Sequence, residues 1–285
     1  MKFEHTQVFN FEGAFRGLRN PLNSWKKSDS YFGLINTEYD YKDTEIADKW
    51  VEFYHPDVDI YSDEGYHLTD LYQEKILNEG ILKASEDIYA AEVAYLGPAD
   101  MKLAQTLISA GPEHRKFLRQ IFVSVDITAP IYWWKEMSTY KIGTTANSTS
   151  TMHKLTSKPI TLDCFENDDM QKDLEYYQGN TTEMLSEIMV EQLEFLRQKY
   201  LETKDKKYWK ELVRWLPESW LQTRTWSANY EVIRSICQQR RNHKLNEWSG
   251  KDDPSKDNFI KWARQLPYAQ YLIFDDENIP FQIEK

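Results

Sequence analysis

The segment TTANSTSTMHK, residues 144 to 154, is dense in side chains that donate and accept hydrogen bonds. Six of its eleven residues are Ser or Thr, and it contains no Gly, Pro or acidic residue. Hydroxyl groups and backbone N–H groups can hold phosphate oxygens without any net charge. The segment is therefore either a hydroxyl-rich linker or a loop that holds a ligand rich in oxygen.

A second candidate for chemistry is Arg240, near the end of a helix predicted for residues 226 to 243. One face of that helix carries, at spacings of four, three and four, Asn229, Ile233, Ile236 and Arg240. Residues at these spacings lie above one another on a helix. Arg240 is either a surface arginine whose stem covers apolar groups, or an arginine in a cleft or subunit interface that pairs with phosphate or carboxylate. The spacing alone favours the surface position.

Two further candidates for chemistry, His114 and the pair Trp133-Trp134, could instead have purely structural roles. His114 follows Glu113 between a predicted helix and a predicted strand, and it is either a cap or a general acid or base. Trp133 and Trp134 either stack against a flat ligand or pack in the core or an interface. The cap and the packing are the commoner uses of these residue types.

Composition narrows the class of partner. The chain has 285 residues and a formal net charge of −11, which repels nucleic acid and anionic membranes. No run approaches the roughly 20 apolar residues of a membrane span, and the N-terminus lacks the apolar core of a secretory signal. Two distant cysteines suggest neither a disulfide framework nor a zinc site. We expect a cytoplasmic protein without metal, membrane or nucleic-acid partners, and a small anionic ligand would need a local basic pocket.

The elements that must position these residues point to an α+β fold. Residues 121 to 128 alternate β-branched apolar residues with others, which predicts a half-buried strand. Ala129-Pro130 ends that strand, and Pro is well placed to open a helix, predicted roughly from 131 to 141. Residues 1 to 65 are predicted as irregular or short strands, and 66 to 94 as helical. Further helices are predicted at 99–112, 206–215, 226–243 and 256–265. Another is predicted from apolar residues at spacings of three and four: Met184, Leu185, Ile188, Met189, Leu193, Leu196 and Tyr200.

The segment LPESWLQTRTWSANYEVIRSICQQR, residues 216 to 240, resembles the flavin-dependent thymidylate synthases, the ThyX family. That family combines a Leu-Pro, an aromatic–basic stretch, a Trp, an Asn and a helix with a nucleotide-binding Arg. The corresponding residues here are Leu216-Pro217, Gln222-Thr223-Arg224, Trp226, Asn229 and Arg240. The intervals from Pro to Asn and from Asn to Arg match without a gap.

A second match precedes the first, in residues 125 to 154, VDITAPIYWWKEMSTYKIGTTANSTSTMHK. In the ThyX family a strand leads to Ala-Pro, an aromatic helix and then a flavin signature that begins Arg-His-Arg. The strand, Ala129-Pro130 and the aromatic helix fit this frame. Thr139-Tyr140-Lys141 stands where Arg-His-Arg would be, and Glu136 stands where the family usually has Gln.

In the rest of the flavin signature, the residues that match the family are two with hydroxyl groups and one with a side-chain amide. With one residue inserted, the family's Ser, Asn and second Ser fall on Thr145, Asn147 and Ser150, whereas Ser148 replaces its Glu and Met152 its last Arg. Upstream, GPEHRKF resembles the family's Glu-His pair. The local positive charge of the family is largely missing, and each lost charge-assisted hydrogen bond is worth about 1.5–3 kcal/mol.

The resemblance implies a ThyX-like fold, an antiparallel sheet flanked by several helices, in one domain spanning 1–285 with a divergent N-terminal portion of about 1–95. It suggests a divergent, phage-type relative, located in the host cytoplasm if phage-encoded. It also implies a homotetramer with sites at subunit interfaces. It assigns nucleotide binding to Arg240, Glu136, Ser150 and Arg224. It assigns cofactor binding to Tyr140, Lys141, Thr145, Asn147, Asn229 and His114.

Three functions follow as hypotheses. The first is flavin-dependent thymidylate synthesis, in which FAD relays a hydride from NADPH and methylenetetrahydrofolate supplies the carbon that becomes the methyl group of dTMP from dUMP. The second is another reaction on a pyrimidine nucleotide with the same fold. The third is a non-catalytic nucleotide-binding protein with a degenerate flavin motif, because a fold does not fix a function. We favour an enzyme over the binding protein and identify no catalytic residue.

Overall fold

The structure is a computed structural model that describes residues 1–36, 59, 61–67, 70, 81–82, 90–168 and 170–274. In these residues, the main sheet contains four strands. The strands lie antiparallel in the order β1-β5-β7-β6. A second, antiparallel sheet has the order β2-β4-β3. The strands are β1 (Lys2–Phe9), β2 (Tyr31–Asn36), β3 (Ile81–Leu82), β4 (Ala90–Tyr95), β5 (Phe122–Pro130), β6 (Thr145–Ser148) and β7 (Leu221–Asn229).

Helices accompany both sheets, and the fold is α+β as predicted. The helices are α1 (Phe11–Arg19), α2 (Pro98–Ser109), α3 (Ile131–Met137), α4 (Thr151–Lys154), α5 (Thr182–Thr203), α6 (Lys206–Arg214), α7 (Tyr230–Arg240), α8 (Asn246–Ser249), α9 (Phe259–Arg264) and α10 (Ala269–Leu272).

Strand β5 and helix α3 confirm the unit predicted around Ala129-Pro130. In β5, Val123, Val125 and Ile127 are buried, and the residues between them are partly exposed. Helix α3 is shorter than predicted and ends at Met137. The hydroxyl of Ser138, just past that end, donates a hydrogen bond to the carbonyl of Trp134 at 2.7 Å. The same carbonyl accepts the backbone N–H of Ser138 at 2.9 Å, so the hydroxyl adds a second hydrogen bond at the end of the helix.

The helix predicted for residues 226 to 243 is wrong in its first turn. Residues 226 to 229 belong to β7, where Trp226 and Ala228 are buried in alternation with their neighbours. Helix α7 begins at Tyr230 because the side-chain oxygen of Asn229 accepts a hydrogen bond from the N–H of Val232 at 3.0 Å. Asn229 is therefore an N-cap, and it does not lie on the helical face predicted to join it to Arg240.

The N-terminal portion also differs from its prediction. Helix α1 stands where irregular structure or short strands were predicted, and it buries Phe11, Ala14, Phe15 and Leu18 at helical spacing. The predicted helix of 66–94 is wrong at residues 81–82, which form β3 and pair with β4. It is also wrong at residues 90–94, which form β4 and pair with β2. Apart from residues 66–67, 70 and 81–82, the rest of that range lies outside the described residues.

The chain forms two compact units. Unit 1 contains residues 1–4 and 126–226, and unit 2 contains residues 5–125 and 227–285. The single domain predicted for 1–285 stays a prediction. Unit 1 has its own hydrophobic cluster, composed of Leu155, Ile160, Phe165, Leu193 and Leu212. In unit 2, the ring of Phe11 packs edge-on against that of Tyr230, with centroids 5.7 Å apart.

Tyr230 should make the stability of the protein sensitive to alkaline pH. Its buried hydroxyl donates to the carbonyl of Pro267 at 2.8 Å, and burial raises its pKa well above the ordinary 10.0. Above about pH 10 the unfolded chain releases this proton and the folded chain keeps it, so the free energy of unfolding falls as pH rises, by up to about 1.4 kcal/mol per pH unit.

Urea unfolding between pH 8 and pH 11 measures the effect. We expect the free energy of unfolding of Tyr230→Phe to fall less steeply with pH than that of the wild type. The matched control is Tyr61→Phe, because the Tyr61 side chain is exposed. Parallel curves for the wild type and Tyr230→Phe would contradict the prediction.

Candidate functional site

A pocket of about 250 Å³ lies in unit 1. Its walls come from α3, from the segment between α3 and β6, from the start of β6, and from β7. The lining combines three aromatic rings, two cationic side chains and the hydroxyl groups of three Ser or Thr residues. Such a mixture of apolar walls and a few convergent polar groups is typical of sites for small molecules.

The aromatic part of the lining is rigidly held. Trp134 and Trp226 are buried, and Tyr140 is partly exposed. The indole N–H of Trp134 donates to the carbonyl of Gln222 at 2.8 Å. Trp133 packs edge-on against Trp134, with ring centroids 4.9 Å apart. Of the two alternatives for this Trp pair, Trp133 has the packing role, whereas Trp134 borders the pocket.

Arg224 is the cation at the centre of the lining. Its guanidinium lies over the ring of Trp134, 4.4 Å from the centroid, and its Nε donates to Oε1 of Gln222 at 3.0 Å. Burial lowers the pKa of Arg224 from its ordinary value. An arginine side chain keeps its positive charge near neutral pH in proteins. A partly desolvated guanidinium in this position suits a phosphate or carboxylate.

Gln222 links Arg224 to the hydroxyl-rich segment. Its buried side-chain amide donates to the carbonyl of Thr149 at 2.9 Å and to the hydroxyl of Thr151 at 3.1 Å. The sequence interpretation assigned Gln222 no role of its own. The signal was the period of two along a strand, which places Gln222, Arg224 and Trp226 on the same face of β7.

The hydroxyl-rich segment is ordered structure and is not a linker. All four residues of β6 are exposed. Thr149 follows that strand and donates its N–H to the carbonyl of Thr223 at 2.9 Å. Ser150 then caps α4 by accepting a hydrogen bond from the N–H of His153 at 3.2 Å. Only the first part of the segment, Thr144 to Ala146, lines the pocket.

The structure brings together four of the predicted site residues. Tyr140, Lys141, Thr145 and Arg224 all line the pocket. Three other predicted residues of unit 1 do not belong to the lining: Glu136, Asn147 and Ser150. Glu136 is half-buried on α3, and Asn147 is exposed on β6. Sequence reasoning missed Met137, Ser138, Thr144 and Trp226 as pocket residues.

The remaining predicted residues belong to unit 2, where each has a local role. The guanidinium of Arg240 lies over the ring of Trp248, 4.9 Å from its centroid, and the arginine is half-buried. Asn229 caps α7. His114 is exposed in the turn after α2, where its N–H donates to the carbonyl of Gly111 at 3.0 Å.

We expect Gln222→Met to loosen residues 149 to 151, because it removes the amide that both contacts require. Two lost hydrogen bonds correspond to about 1–3 kcal/mol, and 1.4 kcal/mol is about a tenfold change in an opening equilibrium. Hydrogen exchange of a peptide spanning this segment should therefore accelerate about tenfold or more. Gln198→Met is the control, because Gln198 is exposed on α5. Unchanged hydrogen exchange in Gln222→Met would show that the two hydrogen bonds from Gln222 do not stabilise residues 149 to 151.

Neither a membrane-spanning helix nor a cluster of metal-binding side chains is found in the described part of the chain. None of its helices is long and apolar enough to cross a membrane. Nor does it bring three or more His, Cys, Asp or Glu side chains into an arrangement suited to a metal ion.

The sheet and its helices define a ThyX-like α+β fold. The chain superposes on a crystal structure of thymidylate synthase X from Helicobacter pylori, with FAD and dUMP, with a TM-score of 0.54. Sequence identity is 15%, and the alignment covers 96% of this chain and 98% of that one. A second Helicobacter pylori ThyX structure, complexed with FAD and dUMP, gives a TM-score of 0.44 at 16% identity, over 86% of this chain and 96% of that chain.

Only the similarity to the first structure supports the fold assignment, and it shows nothing beyond the fold. No protein-family model and no curated protein sequence matches the chain.

Proposed function

We propose that the pocket of unit 1 binds a pyrimidine nucleotide, and that the protein uses it in chemistry similar to that of flavin-dependent thymidylate synthases. The observation that carries the first part is Arg224, a partly buried guanidinium in an aromatic pocket. The fold supports the second part, since the Helicobacter pylori ThyX structure with this fold contains FAD and dUMP.

The lining offers a partner for each part of a nucleotide. Arg224 would pair with the phosphate through its planar fork. The exposed Lys141 adds a second positive charge to the lining. Tyr140 and Trp226 provide apolar ring surface for a base. The hydroxyls of Ser138, Thr144 and Thr145 can donate to oxygens of the ligand.

The pocket by itself does not fit a whole FAD molecule. Its volume of about 250 Å³ is below the range of about 300–1,000 Å³ common for sites of drug-sized ligands. Two cations line it, Lys141 and Arg224, and Thr139-Tyr140-Lys141 stands where the family has Arg-His-Arg. The lining therefore suits one nucleotide with one phosphate.

This disagreement favours a second candidate, a nucleotide-binding protein that has the fold without the flavin chemistry. The enzyme proposal would require FAD, NADPH and methylenetetrahydrofolate in addition to dUMP. Six further residues remain proposed ligand contacts. For the nucleotide these are Arg240, Glu136 and Ser150, and for the cofactor they are Asn147, Asn229 and His114. A homotetramer, a phage origin and a cytoplasmic location rest on the sequence resemblance.

Three measurements on the full chain test the proposal. Calorimetry with dUMP tests the nucleotide site, and absence of binding at millimolar dUMP would overturn it. Absorbance of the purified protein, before and after incubation with FAD, tests the flavin. Release of tritium from C5-tritiated dUMP with folate and NADPH tests thymidylate synthesis. Binding of dUMP by a protein that stays colourless with FAD would establish the second candidate.

A further inference from the structure

The side-chain amide of Gln222 is held in a single orientation by its partners. Its two N–H groups donate to the carbonyl of Thr149 and to the hydroxyl of Thr151, and its oxygen accepts from Nε of Arg224. The reverse orientation would turn the N–H groups toward another donor, Nε–H, and the oxygen toward another acceptor, the carbonyl of Thr149. Because Gln222 is buried, an amide turned that way would lose its partners without gaining water in their place.

This amide determines which part of the Arg224 guanidinium can meet a ligand. A guanidinium carries five N–H groups in a flat fork. The Nε–H group is already bonded to Gln222, and the fork lies over the ring of Trp134. No other hydrogen bond joins Arg224 to the described residues. The N–H groups of Nη1 and Nη2 therefore remain for a ligand, and together they form the terminal edge of the fork.

The pocket gives this terminal edge no acidic partner of its own. Among the described residues that line the pocket, none is Asp or Glu, and the other charged side chain is that of Lys141. A long side chain that is already held loses less conformational freedom when a ligand binds than a free one does. The position of Arg224, and not only its charge, should therefore contribute to affinity for an anion.

We propose that Gln222 is a positioning residue of the pocket. It presents the terminal edge of Arg224 to the phosphate of the nucleotide, and it couples occupancy of the pocket to the order of residues 149 to 151. The proposal rests on the proposed function, because it takes the anion at Arg224 to be that phosphate. A ligand that holds Arg224 in place also holds Gln222, which in turn holds Thr149 and Thr151. Linkage is reciprocal, so the bound ligand orders this segment to the extent that the ordered segment favours the ligand.

Nitrogen-15 NMR of the arginine side chains of the full chain tests the contact without any ligand. The variant Arg224→Ala identifies the Nε–H signal of Arg224 by its loss. We expect exchange of this hydrogen with solvent to accelerate about tenfold or more in Gln222→Met, because its acceptor is removed. Gln198→Met is the control, because Gln198 is exposed on α5, and the rate should not change. An unchanged rate in Gln222→Met would overturn the proposal whether or not the protein binds dUMP, which separates this failure from a failure of the proposed function.

A double-mutant cycle tests whether Gln222 acts through Arg224. The affinity for dUMP is measured by NMR titration in the wild type, Gln222→Met, Arg224→Ala and the double variant. We expect Gln222→Met to weaken binding roughly three- to tenfold in the wild type, the cost of immobilising one long side chain. In the Arg224→Ala background the same change should have little effect. An equal loss in both backgrounds would show that Gln222 affects the pocket without Arg224, and it would overturn the positioning role.

Hydrogen exchange with saturating dUMP tests the coupling to residues 149 to 151. We expect dUMP to slow exchange of a peptide spanning this segment about fivefold or more in the wild type. In Gln222→Met, at a dUMP concentration that again saturates the site, the ligand should leave the exchange of this peptide unchanged. Slowing that persists in saturated Gln222→Met would show that the nucleotide contacts the segment directly. That result, or an unchanged rate in the saturated wild type, would overturn the coupling through Gln222.

Discussion

Replacing Arg224 by alanine should weaken the binding of dUMP by roughly ten- to a hundredfold, which corresponds to about 1.5–3 kcal/mol for a lost charged hydrogen bond. The guanidinium is held over Trp134 and bonded to Gln222, so it is already oriented before a ligand arrives. A preorganised cation loses little entropy when it binds. Isothermal titration calorimetry of wild type and variant measures the loss directly.

Arg224→Lys separates charge from shape. It keeps the positive charge but loses the flat fork, so we expect an affinity between those of the wild type and Arg224→Ala. Arg214→Ala is the control in the same unit, because Arg214 is exposed and pairs with Glu211 on α6. If Arg240→Ala abolished binding while Arg224→Ala left it intact, the nucleotide site would be at Arg240 and not in the pocket of unit 1.

Replacing Asp100 by alanine should lower the free energy of unfolding of unit 2 by about 3–5 kcal/mol, the usual cost of breaking a buried ion pair. Asp100 is fully buried and accepts a hydrogen bond from Nε of Arg19 at 2.5 Å. The hydroxyls of Ser28 and Ser30 both donate to its other oxygen at 2.5 Å. The alanine variant leaves the guanidinium of Arg19 and both hydroxyls without this acceptor. Since folded domains are stable by only about 5–15 kcal/mol, the loss is large.

Urea unfolding followed by circular dichroism measures this loss. The combined change Arg19→Met and Asp100→Leu removes both charges, so we expect it to cost much less than Asp100→Ala. The control Arg16→Ala removes an exposed pair with Glu12 and should cost less than about 1 kcal/mol. An Asp100→Ala protein as stable as Arg16→Ala would show that the buried pair contributes nothing.

The elements predicted well from the sequence are those whose local pattern and tertiary environment agree. Strand β5 alternates from Phe122 to Ala129, and Pro130, its last residue, is the N-cap of α3. Helix α1 was missed because Gly13 and Gly17 have low helix propensity. Its formation depends on burying Phe11 and Phe15 against distant parts of unit 2, such as Tyr230 and Phe117. Strand β4 likewise depends on pairing with β2, a contact that no local pattern reveals.

Four of the ten pocket residues were predicted from the sequence: Tyr140, Lys141, Thr145 and Arg224. Tyr140, Lys141 and Thr145 were predicted because they follow the strand and helix that the resemblance aligned. Asn229 and Ser150 were assigned to ligands, although each accepts a bond from the backbone N–H three residues later. Such caps are local and can be recognised in a sequence. The role of Gln222 is different, because it depends on β7 lying beside the hydroxyl-rich segment.

The hydrogen bond from the hydroxyl of Thr225 to Asp126, at 2.5 Å, joins the two ends of one long excursion of the chain. Apart from residues 1–4 and Trp226, all of unit 1 lies between these points. Chain ends that lie close together allow domain insertion and circular permutation, and here the two ends lie within the neighbouring strands β5 and β7. Residues 126 to 226 thus form a natural cassette, and a pocket carried entirely within it could change its ligand in evolution while the rest of the sequence is preserved for folding.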